Sequence, residues 1–146
     1  MKKYKLVIVD NDEDERLFMK SGIEQTGLFE IIAQAEHGHH ALEWLETNTS
    51  SLPDLILSDL NMPVKDGYEL LEALRGEQLY AHVPVVITST SATPSTIAKC
   101  LALGATDYLV KPDTFLDYDS YGRELYKRLQ QKIHQGQPSL KQVIEV

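Results

Sequence analysis

Leu55-Ile56-Leu57-Ser58-Asp59-Leu60-Asn61-Met62-Pro63 is the stretch whose reading decides the fold. Three aliphatic residues follow Pro53-Asp54 and stop at an acid, and Asn-Met-Pro bounds them downstream. That pattern predicts a short buried strand with Asp59 at its carboxyl end, on the edge of a sheet. Asp59 is the candidate reactive group. An aspartate at a strand end more often simply starts a turn, so the stretch acquires meaning only from what else reaches the same edge.

Working outward, four more runs read as strands. Leu6 to Val9 is aliphatic and rich in β-branching, and the acids Asp10 to Glu15 (with Asn11 among them) follow at once. A strand covered on both faces suits the run, and the first turn of a helix suits the acids, since the helix dipole favours negative charge there. Asp12 and Glu15 have capping-box spacing, Leu17, Phe18 and Ile23 mark one helical face, and Thr26-Gly27 is the stop. Glu30 to Ala35 predicts an edge strand, followed by a helix from about His40 to Glu46 and a loop over Asn48 to Pro53. Beyond the opening strand, Tyr68, Leu70, Leu71 and Leu74 mark a helix ending near Arg75-Gly76, and Val83 to Thr88 is the fourth strand. Thr93-Pro94 starts a helix that Gly104 closes, and Asp107 to Val110 leads into Lys111-Pro112. Tyr121, Leu125, Leu129 and Ile133 lay a stripe on the last helix despite Gly122; residues 134–146 are expected to form a loosely ordered tail.

Strands alternating with helices predict an α/β fold, an open parallel sheet with helices on both faces, in one domain of residues 1–133. Right-handed crossovers bring all strand carboxyl ends to one edge, where ligands of such sheets bind. Asp10, Asp59, Thr88-Ser89-Thr90 and Lys111 converge there from distant parts of the chain. Closely spaced carboxylates with no arginine nearby call for a divalent cation, and hard oxygen ligands suit Mg²⁺ at roughly 2.0–2.1 Å. Asp59 then has the chemistry of a carboxylate nucleophile toward phosphorus, with Lys111 and the metal neutralising the phosphoryl oxygens.

Composition narrows the function classes. Among 146 residues, 14 are basic and 22 acidic, a formal charge of −8, which disfavours nucleic acid and anionic membranes as partners. Hydrophobic residues make up 42%, enough for a core without staples, and the single Cys100 excludes a disulfide framework. No signal-peptide pattern precedes the first strand, so a cytoplasmic location is expected.

These residues resemble the receiver domain of two-component response regulators, particularly the single-domain, chemotaxis-Y-like members. The likeness is carried by Val9-Asp10 and the acids after it, Asp59 to Pro63 with Asp66-Gly67, Pro84 to Ser89, Gly104 to Tyr108, and Lys111-Pro112. It covers about residues 4 to 133. The resemblance implies a flavodoxin-like (βα)5 fold, a doubly wound five-stranded parallel sheet in the order 2-1-3-4-5. It makes Asp59 the phosphoacceptor, Lys111 the phosphate-contacting lysine, Ser89 the switch hydroxyl and Tyr108 an aromatic that turns inward on activation. Asp10, Asp59 and the backbone carbonyl of Asn61 would hold Mg²⁺, while Asn61 and Ser91 occupy positions that tune phosphoryl lifetime. The implied donor is a sensor histidine kinase or a histidine-containing phosphotransfer protein. Output would pass to a protein on the face of the fourth helix, fifth strand and fifth helix, or through homodimer formation, from a stand-alone domain that is not otherwise an enzyme.

At Asn11 the sequence departs from the family, which usually has a second acid that ligates the metal. An amide removes one negative charge, so weaker Mg²⁺ binding is expected unless Asp12 takes the place. Asn11 also supports an alternative, a pseudo-receiver that binds partners without phosphate. A flavodoxin-like redox protein fits poorly, because Asp10 to Glu15 would repel a flavin phosphate; a phosphohydrolase acting through an aspartyl intermediate is the other enzyme reading. His37, His39 and His40 cluster away from the edge, and Cys100 reads as packing, as do Tyr118, Tyr121 and Tyr126.

Overall fold

The computed structural model describes the backbone of residues 2–145 and side chains as far as 134. Its elements are β1 (Tyr4–Val9), α1 (Glu13–Gln25), β2 (Phe29–Ala35), α2 (Gly38–Thr47), β3 (Leu55–Asp59), α3 (Gly67–Gly76), β4 (Val85–Ser89), α4 (Pro94–Ala102), β5 (Asp107–Val110) and α5 (Tyr118–Glu145), with a 3₁₀ turn at Phe115–Asp117. All strands pair in parallel, in the order β2-β1-β3-β4-β5.

Alternation of side chains along the strands builds two cores. Val7, Val9, Ile56, Val85 and Ile87 face α2, α3 and α4, where they meet Leu45, Leu71, Leu74 and Cys100. Leu6, Ile8, Leu55, Leu57 and Val86 face α1 and α5, where Met19, Ile23, Tyr118, Tyr121, Leu125 and Leu129 close over them. Burying each large aliphatic side chain contributes about 1.5–3 kcal/mol, and β3 and β4 are buried along their whole length. Polar positions along β2 reflect its edge place; Ile32 is the extra residue of a register shift opposite Leu6 and Val7.

Several boundaries differ from the sequence reading. Met19 joins Ile23 as the buried face of α1, while Leu17 is exposed and Phe18 stacks on Phe115 instead of entering the core. β4 begins at Val85, after Pro84, and runs to Ser89. The backbone of α5 is helical as far as Glu145, and the side chains of the expected tail beyond 134 lie outside the described residues. At α1 Asp12 caps the helix, but the Glu15 side chain turns elsewhere; a reciprocal capping box forms instead at α3, between Asp66 and Glu69.

Gly122 has a reason to stand in α5. A Cβ there would meet the Thr26 methyl at 3.1 Å, and one at Gly22 would lie 2.4 Å from the Cβ of Tyr118. The two glycines let α1 and α5 approach closely. Gly22→Ala forces them apart and costs about 1–3 kcal/mol, measured as a lower urea midpoint; an unchanged midpoint contradicts this packing.

Candidate phosphoacceptor site

The ladder of hydrogen bonds continues one residue past the sheet and delivers the site. Asp10 N–H donates to Ala35 at 3.0 Å, Leu60 N–H to Thr88 at 3.1 Å and Lys111 N–H to Ser89 at 2.8 Å. The ladder fixes the strand ends, the side chains of Asp10, Asp59 and Lys111 come together at that edge, and Ser89 closes β4 on the same edge.

Lys111 is the centre of the arrangement. Its Nζ donates to Asp10 Oδ2 at 2.8 Å and lies 3.5 Å from Asp59 Oδ1 and 3.7 Å from Glu15 Oε1. Asp10 is fully buried, and its other oxygen accepts the Asp12 N–H at 2.9 Å. Arg16 donates from Nη1 to the Asp10 carbonyl oxygen, so an arginine does stand beside the site, although it takes the backbone and leaves the carboxylate to Lys111. Asp59 Oδ1 accepts the Leu60 N–H at 2.9 Å.

Electrostatics follow from that crowding. Burial, then the Asp10 charge, raise the Asp59 carboxyl from 3.8 to about 6 against the pull of Lys111 and the Leu60 N–H. Burial alone would lower the Lys111 ammonium, but the hydrogen bond and charge of Asp10 outweigh it and the net direction is up. Asp10 and Asp59 thus share less positive charge than they would accept. Among the described residues nothing donates to the Asn61 carbonyl oxygen, and hard oxygens of this kind, like the two carboxylates, are the ligand type that suits Mg²⁺. Asp12 uses its carboxylate to cap α1, accepting the Glu15 N–H at 3.0 Å, while the neighbouring Asn11 is exposed. No group of three His, Cys, Asp or Glu among the described residues is arranged to hold a metal by itself.

The loop after β3 is locked. Gly67 donates to Leu60 at 2.8 Å, and Lys65 donates to Pro63 at 2.7 Å around Val64, whose φ of 66° is unusual for a β-branched residue. A Cβ at Gly67 would lie 2.9 Å from the Asp59 carbonyl oxygen, so the start of α3 sits directly against the Asp59 backbone.

The Tyr108 ring lies inside, among the core residues, and its hydroxyl donates to the Ser91 carbonyl at 2.7 Å. Burial raises its phenol, with the Ser89 hydroxyl pulling the other way. His37 caps α2 through Nδ1 and Cys100 is buried in the core, both packing roles. Tyr118, Tyr121 and Tyr126 are buried too, and Tyr121 donates to Thr88 Oγ1 at 2.7 Å. Sequence reasoning missed Glu15 and Arg16 as members of the site, and missed that the Tyr118 hydroxyl donates to Glu15.

With this geometry in place, the response regulator receiver domain family matches residues 6–117. The chain belongs to that family. A chemotaxis protein CheY homolog of Campylobacter jejuni is 30% identical over 110 residues, 75% of this chain and 82% of that protein. The two-component response regulator-like protein PRR37 of rice is 34% identical over 111 residues, but the chain spans only 15% of its length. Among solved structures, the phosphorylated cyanobacterial phytochrome response regulator RcpA superposes with a TM-score of 0.75 at 25% identity, covering 85% of this chain and 91% of that one. Receivers are signalling phosphoacceptors, and the flavodoxin-like sheet order is theirs. No helix of this receiver, among the described residues, is long and apolar enough to cross a membrane.

Proposed function

We propose that this receiver accepts a phosphoryl group on Asp59 from a phosphohistidine, of a sensor histidine kinase or a histidine phosphotransfer protein, and in that state engages a downstream protein. The observation that carries the reading is the Lys111 ammonium held between Asp10 and Asp59 at the carboxyl edge of the sheet. Asp10, Asp59, the Asn61 carbonyl and the Asn11 amide would hold Mg²⁺, which supplies positive charge against the incoming phosphoryl oxygens.

An Asp59 carboxylate oxygen attacks phosphorus as the P–N bond breaks; the imidazole nitrogen keeps the electron pair and takes a proton from solvent. Lys111, already 3.5 Å from Asp59, donates to one phosphoryl oxygen, and the Ser89 hydroxyl at the end of β4 donates to another. Charge-assisted bonds of this kind contribute about 1.5–3 kcal/mol each, so the set approaches the roughly 5.5 kcal/mol that moves a population from 1:99 to 99:1. The face of α4, β5 and α5 offers a docking surface for output, with Leu101 and Val110 exposed on it.

A small acyl phosphate tests the reading. Wild type takes label in the presence of Mg²⁺ and takes none when a chelator is present from the start, and Asp59→Asn takes none in either case. Label on the Asp59→Asn variant would contradict the assignment. Unlabelled wild type with intact partner binding would favour the phosphate-independent receiver that Asn11 raises.

A further inference from the structure

Among the described residues, Glu15 is the one carboxylate facing Lys111 that neither phosphoryl acceptance nor metal binding uses, and its position is built. Its Oε1 faces Lys111 Nζ at 3.7 Å, and the same oxygen accepts the hydroxyl of Tyr118, the first residue of α5, whose ring is fully enclosed. Its N–H is fixed at 3.0 Å by the Asp12 cap, and the next residue, Arg16, holds the Asp10 carbonyl. An acid recruited only to satisfy a buried tyrosine has no need of the lysine; this one touches both.

We propose that Glu15 is a positioning residue for Lys111, with Tyr118 holding Glu15 in place, so that α1 and the start of α5 set where the phosphate-contacting amine stands. Three carboxylates share one ammonium that is only 7% exposed, and Asp10 takes the close contact at 2.8 Å. Glu15 pulls on the amine against Asp59's share, so that Lys111 stands 3.5 Å from Asp59 Oδ1 instead of closing further onto it. Without that draw, Lys111 collapses onto Asp59 and masks the nucleophile it is meant to assist. Glu15 and Tyr118 act through Lys111, not on the phosphoryl group.

This inference rests on Asp59 being the phosphoacceptor, and the test separates the two. Labelling by a small acyl phosphate is followed at saturating donor across a Mg²⁺ titration, for wild type, Asp59→Asn, Glu15→Leu, Glu15→Gln and Tyr118→Phe. Glu15→Leu lowers the maximal rate at saturating Mg²⁺ by about tenfold. Glu15→Gln, which still accepts from Tyr118 but no longer carries the charge that pulls on Lys111, slows transfer by about threefold or more at an unchanged unfolding midpoint, and Tyr118→Phe slows it by about threefold or more. A merely structural pair would lower the unfolding midpoint and leave the maximal rate alone. If Glu15→Leu does not fold, Tyr118→Phe keeps the buried ring and decides the matter, a wild-type rate overturning the proposal. Unlabelled wild type, or labelled Asp59→Asn, overturns the underlying reading and this inference with it; labelled wild type with an equally fast Glu15→Leu overturns this inference alone.

Discussion

Lys111→Met slows phosphoryl transfer to Asp59 by about a hundredfold, because it removes the preorganised cation aimed at the charge that develops on the phosphoryl oxygens. It also leaves Asp10, fully buried, without its 2.8 Å partner, and Asp59 and Glu15 without their nearest cation. Stranding one member of a buried pair costs about 3–5 kcal/mol. On the proposed reading Mg²⁺ would bind the same acids, so the ion is expected to recover more stability in the variant than in wild type by mass action. Urea unfolding with and without Mg²⁺ checks this. Equal Mg²⁺ effects in the two proteins would mean that Lys111 does not neutralise the acids, and an unchanged rate would remove it from the transfer step.

Asp59→Asn stabilises the metal-free protein at neutral and higher pH. The carboxyl stands at about 6 in the folded receiver against an ordinary 3.8, chiefly from burial and then from the Asp10 charge. The folded state therefore holds the proton more tightly than the unfolded chain does. Below about pH 4 both states are protonated and Asp59 costs nothing; as pH rises through about 6 the penalty grows to its full value. A shift of that size is worth about 3 kcal/mol at full weight, and solvent contact at the site reduces it to about 1–2 kcal/mol. With a chelator present, Asp59→Asn raises the melting midpoint by about 3–8 °C near pH 8 and hardly at all near pH 4. A stabilisation that was the same at both values would show that the acceptor's charge is not under strain.

Much of this was readable before the coordinates, for identifiable reasons. Strands buried on both faces announce themselves as unbroken aliphatic runs, so Leu6 to Val9 and Leu55 to Leu57 were plain, and the strand-end residues Asp10, Asp59, Ser89 and Lys111 followed from the parallel topology. Helix faces were harder. Leu17 and Phe18 look like core by hydrophobicity, yet the helix turns Met19 and Ile23 inward and leaves Phe18 stacked on Phe115. Glu15 has the spacing of a capping partner for Asp12, and spacing cannot tell that a buried tyrosine over a hundred residues away competes for the same carboxylate. Tyr118 does stand three residues before Tyr121 and so extends the stripe of α5, which was the available signal. The inward ring of Tyr108 depends on a rotamer and on the Ser91 carbonyl, neither of which a sequence displays.

Locating the phosphoryl group tests the central claim most directly. The receiver is labelled with a small acyl phosphate and Mg²⁺, the acyl phosphate is reduced with borohydride, and the modified residue is found by mass spectrometry. The account predicts reduction product at position 59 alone and none in Asp59→Asn. Product at Asp10, or product that persists in the Asp59→Asn variant, would contradict it.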